Sequence, residues 1–332
     1  MSTTIQQDRT QREHSPEDGP EASAGTLRLA VVVNPSKFTD LDELRDQVED
    51  ACGTHGRVDV RWYETSPEDP GAGQAEQAVS DGANMVCSLG GDGTVRSVAS
   101  ALVGTEIPLG LLPGGTGNLL ARNLGLPVDD LPAALAAVLT GTTRRIDVGA
   151  VSWDDEAEQI FVVMAGMGMD ATMMGEADER LKDAVGWPAY LLSGARALFN
   201  PGFVMAVSAH RIRNYSRRAR MVVVGNCGEL TAGVKLLPNA RLDDGRLDLV
   251  LVAPRGLLGW LALLRDFLTS RGGNHRAARR MTADRFELAA NRPVDAELDG
   301  DAVGPRRHMR TRTLAGALLV RVPLRGDGSE ES

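Results

Sequence analysis

The stretch SLGGDGT at residues 88–94 decides how this chain is interpreted, and LLPGGTGN follows it at residues 111–118. Each stretch is a glycine-rich turn that follows an apolar run and leads into a segment of helical pattern. Glycines let backbone N–H groups approach a phosphate closely, and a helix start behind them favours negative charge. Neither turn has the G-x-x-x-x-G-K-[ST] pattern of a Walker A loop. The two turns therefore predict a phosphate site of another kind, and Asp92 inside the first turn indicates that the phosphates arrive with a metal.

The residues around the two turns alternate between strand and helix patterns. Strands are predicted at residues 27–33, 58–63, 84–89 and 109–112, and helices at 41–52, 73–82, 95–103, 118–123 and 131–139. Alternation at this spacing predicts a Rossmann-like α/β domain with a parallel sheet. Ligand loops in such a sheet lie at the carboxyl ends of the strands, and both glycine turns fall there.

After Arg144 the strand patterns come more often. They are predicted at residues 160–165, 202–210, 220–225, 247–252, 285–289, 294–298 and 317–322, with helices at 172–199 and 257–268. Turn sequences such as Asp243-Asp244-Gly245 and Asp299-Gly300 separate them, which favours a mainly antiparallel second domain of β-sandwich type. We therefore expect a disordered tail over 1–25, an α/β domain over 26–144, a β-rich domain over 145–323 and a disordered tail over 324–332.

Composition limits the class of protein. Apolar residues make up 42% of the 332 residues, and the formal net charge of −9 argues against a general nucleic-acid binder. The three cysteines, Cys52, Cys87 and Cys227, form no C-x-x-C pair, so neither a disulfide framework nor a zinc site is indicated. No signal-peptide pattern opens the chain and no apolar run approaches a membrane span, so we expect a cytoplasmic protein.

Several segments, in order, resemble the bacterial diacylglycerol kinase-like lipid kinases over roughly residues 27–322. GGDGT is similar to the signature that diacylglycerol kinases, sphingosine kinases and NAD kinases share. The segments that carry the resemblance are NP at 34–35, GGDGT at 90–94, PGGTGN at 113–118, GMGMDA at 166–171 and LDDGRLD at 242–248. The last landmark departs from the family, because Asp299-Gly300-Asp301 stands where the family normally has Asp-Gly-Glu.

The resemblance implies an ATP- and Mg²⁺-dependent kinase that phosphorylates a lipid hydroxyl, with diacylglycerol as the first choice of acceptor. It assigns ATP contacts to Asn34, Thr65, Gly90, Gly91, Asp92, Gly93, Thr94, Val95, Arg96, Gly115, Thr116 and Asn118. Asp92 would also organise Mg²⁺ and phosphate, and Asp301 would occupy the position of the general base. A structural Mg²⁺ would be held by Asp244 with the backbone carbonyls of Arg241 and Arg246.

The chemistry of phosphoryl transfer agrees with this set of residues. Transfer to a hydroxyl needs positioned phosphates, a metal and a carboxylate near the attacking oxygen. Which of Asp92 and Asp301 takes the proton is open, because related nucleotide kinases are thought to use the GGDGT aspartate. Asp301 is one methylene shorter than Glu, and a misplacement of about 1 Å can cost about 100-fold in rate.

Simpler interpretations compete at several of these positions. Asp92, Asp244 and Asp301 can each be plain turn residues, since Asp beside Gly is common in turns. The Gly166-x-Gly168-x-x-Ala171 pattern mimics a dinucleotide fingerprint, but no acid-bearing βαβ unit follows it. Two other functions remain: an NAD kinase, disfavoured because no Asn-Glu dipeptide follows downstream, and a non-catalytic nucleotide-binding regulator.

Two later segments concern the membrane. The apolar stretch 257–264 is expected in the core or against lipid, and a basic cluster follows at Arg271, His275, Arg276, Arg279 and Arg280. The cluster can meet anionic head groups or form a solvated loop. We therefore expect a lipid substrate at the membrane surface, peripheral contact with the inner membrane face, no nucleic-acid partner and a possible homodimer.

Overall fold

The computed structural model describes residues 26–168, 202–209, 212–230, 234–254 and 277–324, with positions 256, 258, 259, 263 and 265. Outside these residues lie the predicted helix over 172–199, most of the helix over 257–268, the tail over 1–25 and nearly all of the tail over 324–332. Residues 169–171 of the GMGMDA segment also lie outside them, as do Arg271, His275 and Arg276 of the basic cluster.

The first half is a parallel sheet with helices on both faces. Its elements are β1 (Leu27–Val33), α1 (Leu41–Gly53), β2 (Val58–Glu64), α2 (Ala72–Ser80), β3 (Met85–Gly90), α3 (Asp92–Leu102), β4 (Leu109–Pro113), α4 (Leu119–Asn123) and α5 (Leu131–Thr140). The strands pair in parallel in the order β2-β1-β3-β4. Strands β1 and β3 are covered on both faces, which explains their unbroken apolar sequences. The predicted α/β domain is confirmed.

The faces of this sheet are filled by different helices. Leu44 and Val48 of α1 and Leu135 of α5 pack against one face, as part of one buried cluster with β1 and β3. Helices α2 and α3 cover the other face, where Val98 packs with Val32 of β1. Helix α3 begins at Asp92, three residues before the predicted start, so the aspartate of GGDGT opens the helix.

The second half is antiparallel. Its strands are β5 (Thr142–Trp153), β6 (Gln159–Phe161), β7 (Met164–Met167), β8 (Phe203–Ala209), β9 (Ile212–Ala219), β10 (Met221–Gly225), β11 (Leu247–Val252), β12 (Ala278–Ala283), β13 (Arg285–Leu298) and β14 (Asp301–Val322). They pair in the order β12-β11-β10-β7-β13-β14, with β5 along β14, β6 along β5, β8 along β13 and β9 along β8. One parallel pair, Val320 with Leu109, joins β14 to β4. The predicted β-sandwich is confirmed.

Several strands differ from the prediction. The sequence patterns missed β5, β9 and β12, and they split β13 in two where its pairing with β14 is irregular between Ala289 and Val294. Strand β14 is much longer than the predicted 317–322, because it pairs with β13 and β5 along its length. Arg306 and Arg312 of β14 also form ion pairs with acids of the β5–β6 turn. Arg279 and Arg280 lie on β12, so the alternative that this part of the basic cluster is a solvated loop is wrong. The Arg279 guanidinium stacks on the Tyr215 ring of β9 at 4.2 Å.

The hairpin between β13 and β14 positions the candidate site. Asp299 and Gly300 form its turn with φ of 48° and 91°, a conformation that Asp and Gly tolerate. The turn predicted at Asp299-Gly300 is therefore confirmed.

Among the described helices, none is long and apolar enough to cross a bilayer.

Candidate active site

The carboxyl ends of the four parallel strands gather the predicted nucleotide residues at one edge of the sheet. Asn34 follows β1 and donates its N–H to the Leu89 carbonyl of β3 at 3.0 Å. Thr65 follows β2 and is buried, and its N–H donates to the Val33 carbonyl at 2.9 Å. The two glycine turns follow β3 and β4 at the same edge. This is the edge where open α/β sheets bind their ligands.

The two glycine turns touch through their backbones. A β-carbon placed on Gly115 would lie 2.7 Å from Cα of Gly91, and one on Gly114 would lie 2.8 Å from the Gly90 nitrogen. Both positions therefore need glycine for internal packing. Asn118 closes the second turn in the left-handed conformation, with φ of 47°, and its side-chain amide donates to the Gly115 carbonyl at 2.7 Å.

Asp92 ties the first turn to the second. Its Oδ1 accepts the N–H of Leu119, the first residue of α4, at 2.7 Å. Burial raises the pKa of this carboxyl, while the N–H groups of Leu119 and Asn118 act in the opposite direction. Its Oδ2 lies so close to Gly117 that a side chain there would collide with it. Asp92 is thus fixed between two helix starts, where anions are stabilised.

The start of α3 faces open space. Gly91 has no side chain with which to cap the helix, so the first N–H groups of α3 stay available to an anion. A β-carbon on Gly91 would meet nothing within 4 Å. Thr94 and Val95 point into the interior and can reach a nucleotide only through their backbone. Thr116 of the second glycine turn is exposed.

Arg96 of α3 binds the hairpin between β13 and β14 and so joins the second half of the chain to the start of α3. Its guanidinium donates to the Leu298 carbonyl and to Oδ2 of Asp301, the latter at 2.7 Å. The same carboxylate oxygen lies 3.1 Å from where a β-carbon of Gly93 would stand. The side chain of Asp301 is 59% exposed. The structure therefore brings together Asp92 and Asp301, the two residues predicted to be catalytic.

Two further acids of the hairpin were missed by the sequence reasoning. Asp299 is buried and accepts N–H groups from Val162, Val163 and Met164 at 3.0, 2.9 and 2.8 Å. Burial nevertheless raises its pKa to about 6. Glu297 is also buried, and desolvation raises its pKa to about 8. The only signal in the sequence was the alternation of acids in Glu297-Leu298-Asp299-Gly300-Asp301.

The turn predicted to hold a structural Mg²⁺ is organised by an unpredicted residue. Asp147 is buried and accepts the N–H of Gly245 at 2.6 Å and that of Gly316 at 2.7 Å. Asp244 is exposed, and its Oδ1 accepts the N–H of Arg246 at 3.0 Å. Within the described part of the chain, no group of three or more His, Cys, Asp or Glu side chains is arranged to hold a metal. The oxygen donors of Asp244, Arg241 and Arg246 suit Mg²⁺ in kind, and this metal site stays a prediction.

Helix α4 connects the second glycine turn to the sandwich. Its last residue, Asn123, accepts the N–H groups of Gly228 and Glu229 at 3.1 and 3.0 Å through its side-chain oxygen. Its amide donates to the Glu229 carbonyl at 2.7 Å. The second glycine turn is thus held by Asp92 at one end of α4, and the loop after β10 is held at the other.

The buried acids predict how stability depends on pH. The folded-state pKa of Glu297 is about 8 and its ordinary value is 4.5, so the protonated form stabilises the fold. This contribution to the free energy of unfolding is complete when the pH is below the ordinary pKa of 4.5. It is lost as the pH rises to the folded-state pKa of about 8. We expect the free energy of unfolding of the wild type to fall between pH 5 and 8.5, and Glu297→Gln to remove part of that fall. Urea denaturation across this range measures it, with Glu287→Gln, exposed on the same strand, as the control. Equal slopes for the wild type and Glu297→Gln would contradict the assignment.

Comparison with known proteins covers both halves of the chain. The family model of the diacylglycerol kinase catalytic domain matches residues 28–151. The model of the YegS C-terminal NAD kinase beta sandwich-like domain matches residues 162–322. These two ranges contain the glycine turns and the hairpin with Asp301, respectively.

Similar proteins and structures agree with these matches. A Pseudomonas aeruginosa protein named "Probable lipid kinase YegS-like" is 33% identical over 251 residues, which cover 75% of this chain and 80% of that protein. A protein of the same name from Pseudomonas fluorescens is 30% identical over 315 residues, which cover 89% of this chain and 96% of that protein. The crystal structure of a diacylglycerol kinase from Bacillus anthracis superposes with a TM-score of 0.70 at 22% identity, covering 89% of this chain and 97% of that one, and shows the same fold.

Proposed function

Because this chain belongs to the lipid kinase family that joins a diacylglycerol kinase catalytic domain to a YegS-type C-terminal domain, we propose that it phosphorylates diacylglycerol. ATP supplies the γ-phosphoryl group, Mg²⁺ is required, and phosphatidic acid is the product. The observation that carries the proposal is the contact of Arg96 with Asp301, which holds an exposed carboxylate beside the start of α3. That arrangement sets a carboxylate beside N–H groups available to phosphate, which are two of the parts that phosphoryl transfer to a hydroxyl needs, and the metal is the third.

The nucleotide is proposed to bind along the carboxyl edge of the parallel sheet. The N–H groups at the start of α3 and the backbone of the second glycine turn would hold the phosphates, with Thr65 and Asn34 further along the same edge. Asp92 supplies a carboxylate between the two turns, and an oxygen donor of this kind suits Mg²⁺. When bound, the metal would neutralise charge on the phosphate oxygens.

Asp301 is proposed to accept the proton of the lipid hydroxyl. As the hydroxyl oxygen bonds to the γ-phosphorus, the bond from phosphorus to ADP breaks and the proton passes to the Asp301 carboxylate. Arg96 keeps that carboxylate in place through a charge-assisted hydrogen bond. Its guanidinium lies at the start of α3, so the phosphate contact implied by the resemblance would share the same side chain.

The acceptor places the enzyme at a membrane. Diacylglycerol stays in the bilayer, so we propose peripheral contact with the inner membrane face during turnover. Arg279 or Arg280 on β12 is a candidate for that contact, since the two point to opposite faces and one arginine near an anionic surface contributes about 1 kcal/mol. Vesicle binding that weakens as salt rises would support this part of the proposal.

The acceptor is tested with γ-labelled ATP and a panel of hydroxyl compounds. Mixed micelles would present diacylglycerol, a sphingoid base, ceramide, a glycerophospholipid or a polyprenol, and parallel reactions would contain NAD⁺ or no acceptor. We expect label in phosphatidic acid, and none of it when EDTA removes Mg²⁺. Label in NADP⁺, or turnover of ATP with no acceptor only, would contradict the proposal.

A larger side chain at Gly91 is expected to block the nucleotide without harming the fold. Its φ of −87° suits any residue, and a β-carbon there meets nothing within 4 Å, so Gly91→Val would project into the space proposed for phosphate. We expect ATP affinity in calorimetry to fall at least about tenfold while the melting temperature stays near that of the wild type. Gly53→Val is the matched control, since Gly53 also faces open space but lies at the end of α1. Unchanged ATP affinity in Gly91→Val would place the phosphates elsewhere.

Asp92→Asn is expected to stop transfer while the fold is kept. The amide oxygen of Asn can still accept the Leu119 N–H, so α4 keeps its cap, but the negative charge is lost. We expect kcat with diacylglycerol to fall by about 100-fold or more, because a metal and phosphate site without its carboxylate loses electrostatic stabilisation. A folded variant that keeps more than about a tenth of the wild-type rate would show that Asp92 does not organise the metal.

Asp301→Asn is expected to remove nearly all turnover and to leave ATP affinity unchanged. The proton acceptor acts in the transition state, so its loss lowers kcat and not nucleotide binding. Asp301→Glu, which restores the usual residue of the family, should keep substantial activity. Steady-state kinetics with calorimetric ATP binding measures both variants. A near-normal rate in Asp301→Asn would pass the base role to Asp92 or to solvent.

A further inference from the structure

Glu297 is a buried acid that the proposed reaction does not use. It lies near the end of β13, where its neighbours Ala296 and Leu298 belong to the apolar core of the sandwich. Residues adjacent in a strand point to opposite faces, so Glu297 points away from that core. Its exposed fraction is nevertheless only 3%. A carboxyl this deeply buried requires a physical reason.

A glycine on the neighbouring strand makes room for it. Glu297 pairs with Gly166 of β7. A β-carbon on Gly166 would lie 2.7 Å from Oε1 of Glu297, closer than such atoms can approach. The glycine therefore provides the surface on which the carboxyl packs. Gly166 is the first residue of the GMGMDA segment, and the proposed reaction gives it no role. Its packing against Glu297 explains why a glycine stands there.

The other oxygen of Glu297 holds the hairpin turn. Its Oε2 accepts the N–H of Gly300 at 3.0 Å. Gly300 stands between Asp299, which is fixed by three N–H groups, and Asp301, which is held by Arg96. The carboxyl of Glu297 thus restrains the residue that directly precedes the proposed base.

The charges around Glu297 favour its neutral form. Asp299 and Asp301 of the hairpin oppose a negative charge on it, and Arg96 of α3 is the cation that favours one. Its Oε1 has no hydrogen-bond partner among the residues that the structure describes. An ionised carboxylate with an unpaired buried oxygen is costly, so the group keeps its proton at neutral pH, in line with a pKa raised to about 8 by burial.

We infer that Glu297 is a positioning residue, which fixes the turn at Gly300 and so holds the Asp301 carboxylate beside the start of α3. The inference rests on the proposed function, since it assigns Glu297 a role towards the proposed base. It also explains how an aspartate can serve where the family normally has the longer glutamate, because a fixed turn leaves the shorter side chain little freedom to move. Ionisation of Glu297 at high pH would place a second negative charge beside Arg96, in competition with Asp301.

The test separates the shape of Glu297 from its charge. Glu297→Gln keeps an oxygen for the Gly300 N–H and is neutral at every pH, whereas Glu297→Leu removes the acceptor. We expect Glu297→Leu to lower kcat at least about tenfold with KM for ATP changed less than about twofold, and Glu297→Gln to stay near wild type at pH 7. Above about pH 8 the wild type should lose activity that Glu297→Gln retains. Glu287→Leu and Glu287→Gln, exposed on the same strand, are the controls and should change nothing.

A double variant tests whether Glu297 acts through Asp301. If it does, Glu297→Leu should slow the wild type but should not further slow Asp301→Asn. Gly166→Ala, which pushes the carboxyl from its place, should lower kcat as Glu297→Leu does. An unchanged kcat in folded Glu297→Leu, or an equal loss in the Asp301→Asn background, would overturn the inference.

Hydrogen exchange gives a readout without turnover. The Gly300 amide should exchange slowly in the wild type and in Glu297→Gln, and quickly in Glu297→Leu, when peptides covering residues 298–302 are compared. If the wild type phosphorylates no lipid, the proposed function fails while this measurement still shows whether Glu297 fixes the turn. Equal exchange in all three proteins would overturn the role of Glu297 even in an active kinase.

Discussion

The ion pair between Arg96 and Asp301 is the interaction on which the candidate site depends. Arg96 belongs to helix α3, which begins within the first glycine turn, and Asp301 begins the last strand of the sandwich. The arginine is 19% exposed, and its guanidinium is fixed at two points, the Leu298 carbonyl and the Asp301 carboxylate. Because the side chain of Asp301 is 59% exposed, the main effect of the pair is geometric: two hydrogen bonds fix the guanidinium, and the charge-assisted one holds the carboxylate in place. One helix therefore carries both the N–H groups proposed to hold phosphate and the side chain that holds the proposed base beside them.

Three carboxylates of the site are buried or half-buried and bind backbone N–H groups, and the fourth is exposed. Asp92 caps α4, Asp299 fixes the turn before β7 and Glu297 holds Gly300. Burial raises the pKa of each of these three groups, and each accepts at least one backbone N–H. Asp301 is the exposed member of the set. Burial favours the protonated form of the other three acids and backbone N–H groups bind them, which lessens the repulsion among the four; the exposed Asp301 is the one proposed to take a proton.

The sequence predicted the first half well because its signals are local. Buried parallel strands appear as apolar runs, and glycine turns mark their carboxyl ends, so the sheet and the edge that carries both glycine turns followed from neighbouring residues. The second half depends on distant partners. Strand β14 is rich in arginine, and its backbone pairing with the distant strands β13 and β5 makes it a strand over its full length. The roles of Glu297 and Asp147 likewise arise from N–H groups that other segments bring to them, which no local pattern encodes.

A double-mutant cycle on Arg96 and Asp301 tests the central claim most directly. The rates of lipid phosphorylation by Arg96→Met, Asp301→Asn and the double variant would be compared with that of the wild type at saturating ATP. If the arginine acts by holding the base, the double variant should be no slower than the slower single variant. Losses that multiply in the double variant would show that the two residues act independently, and the account of the site would be wrong.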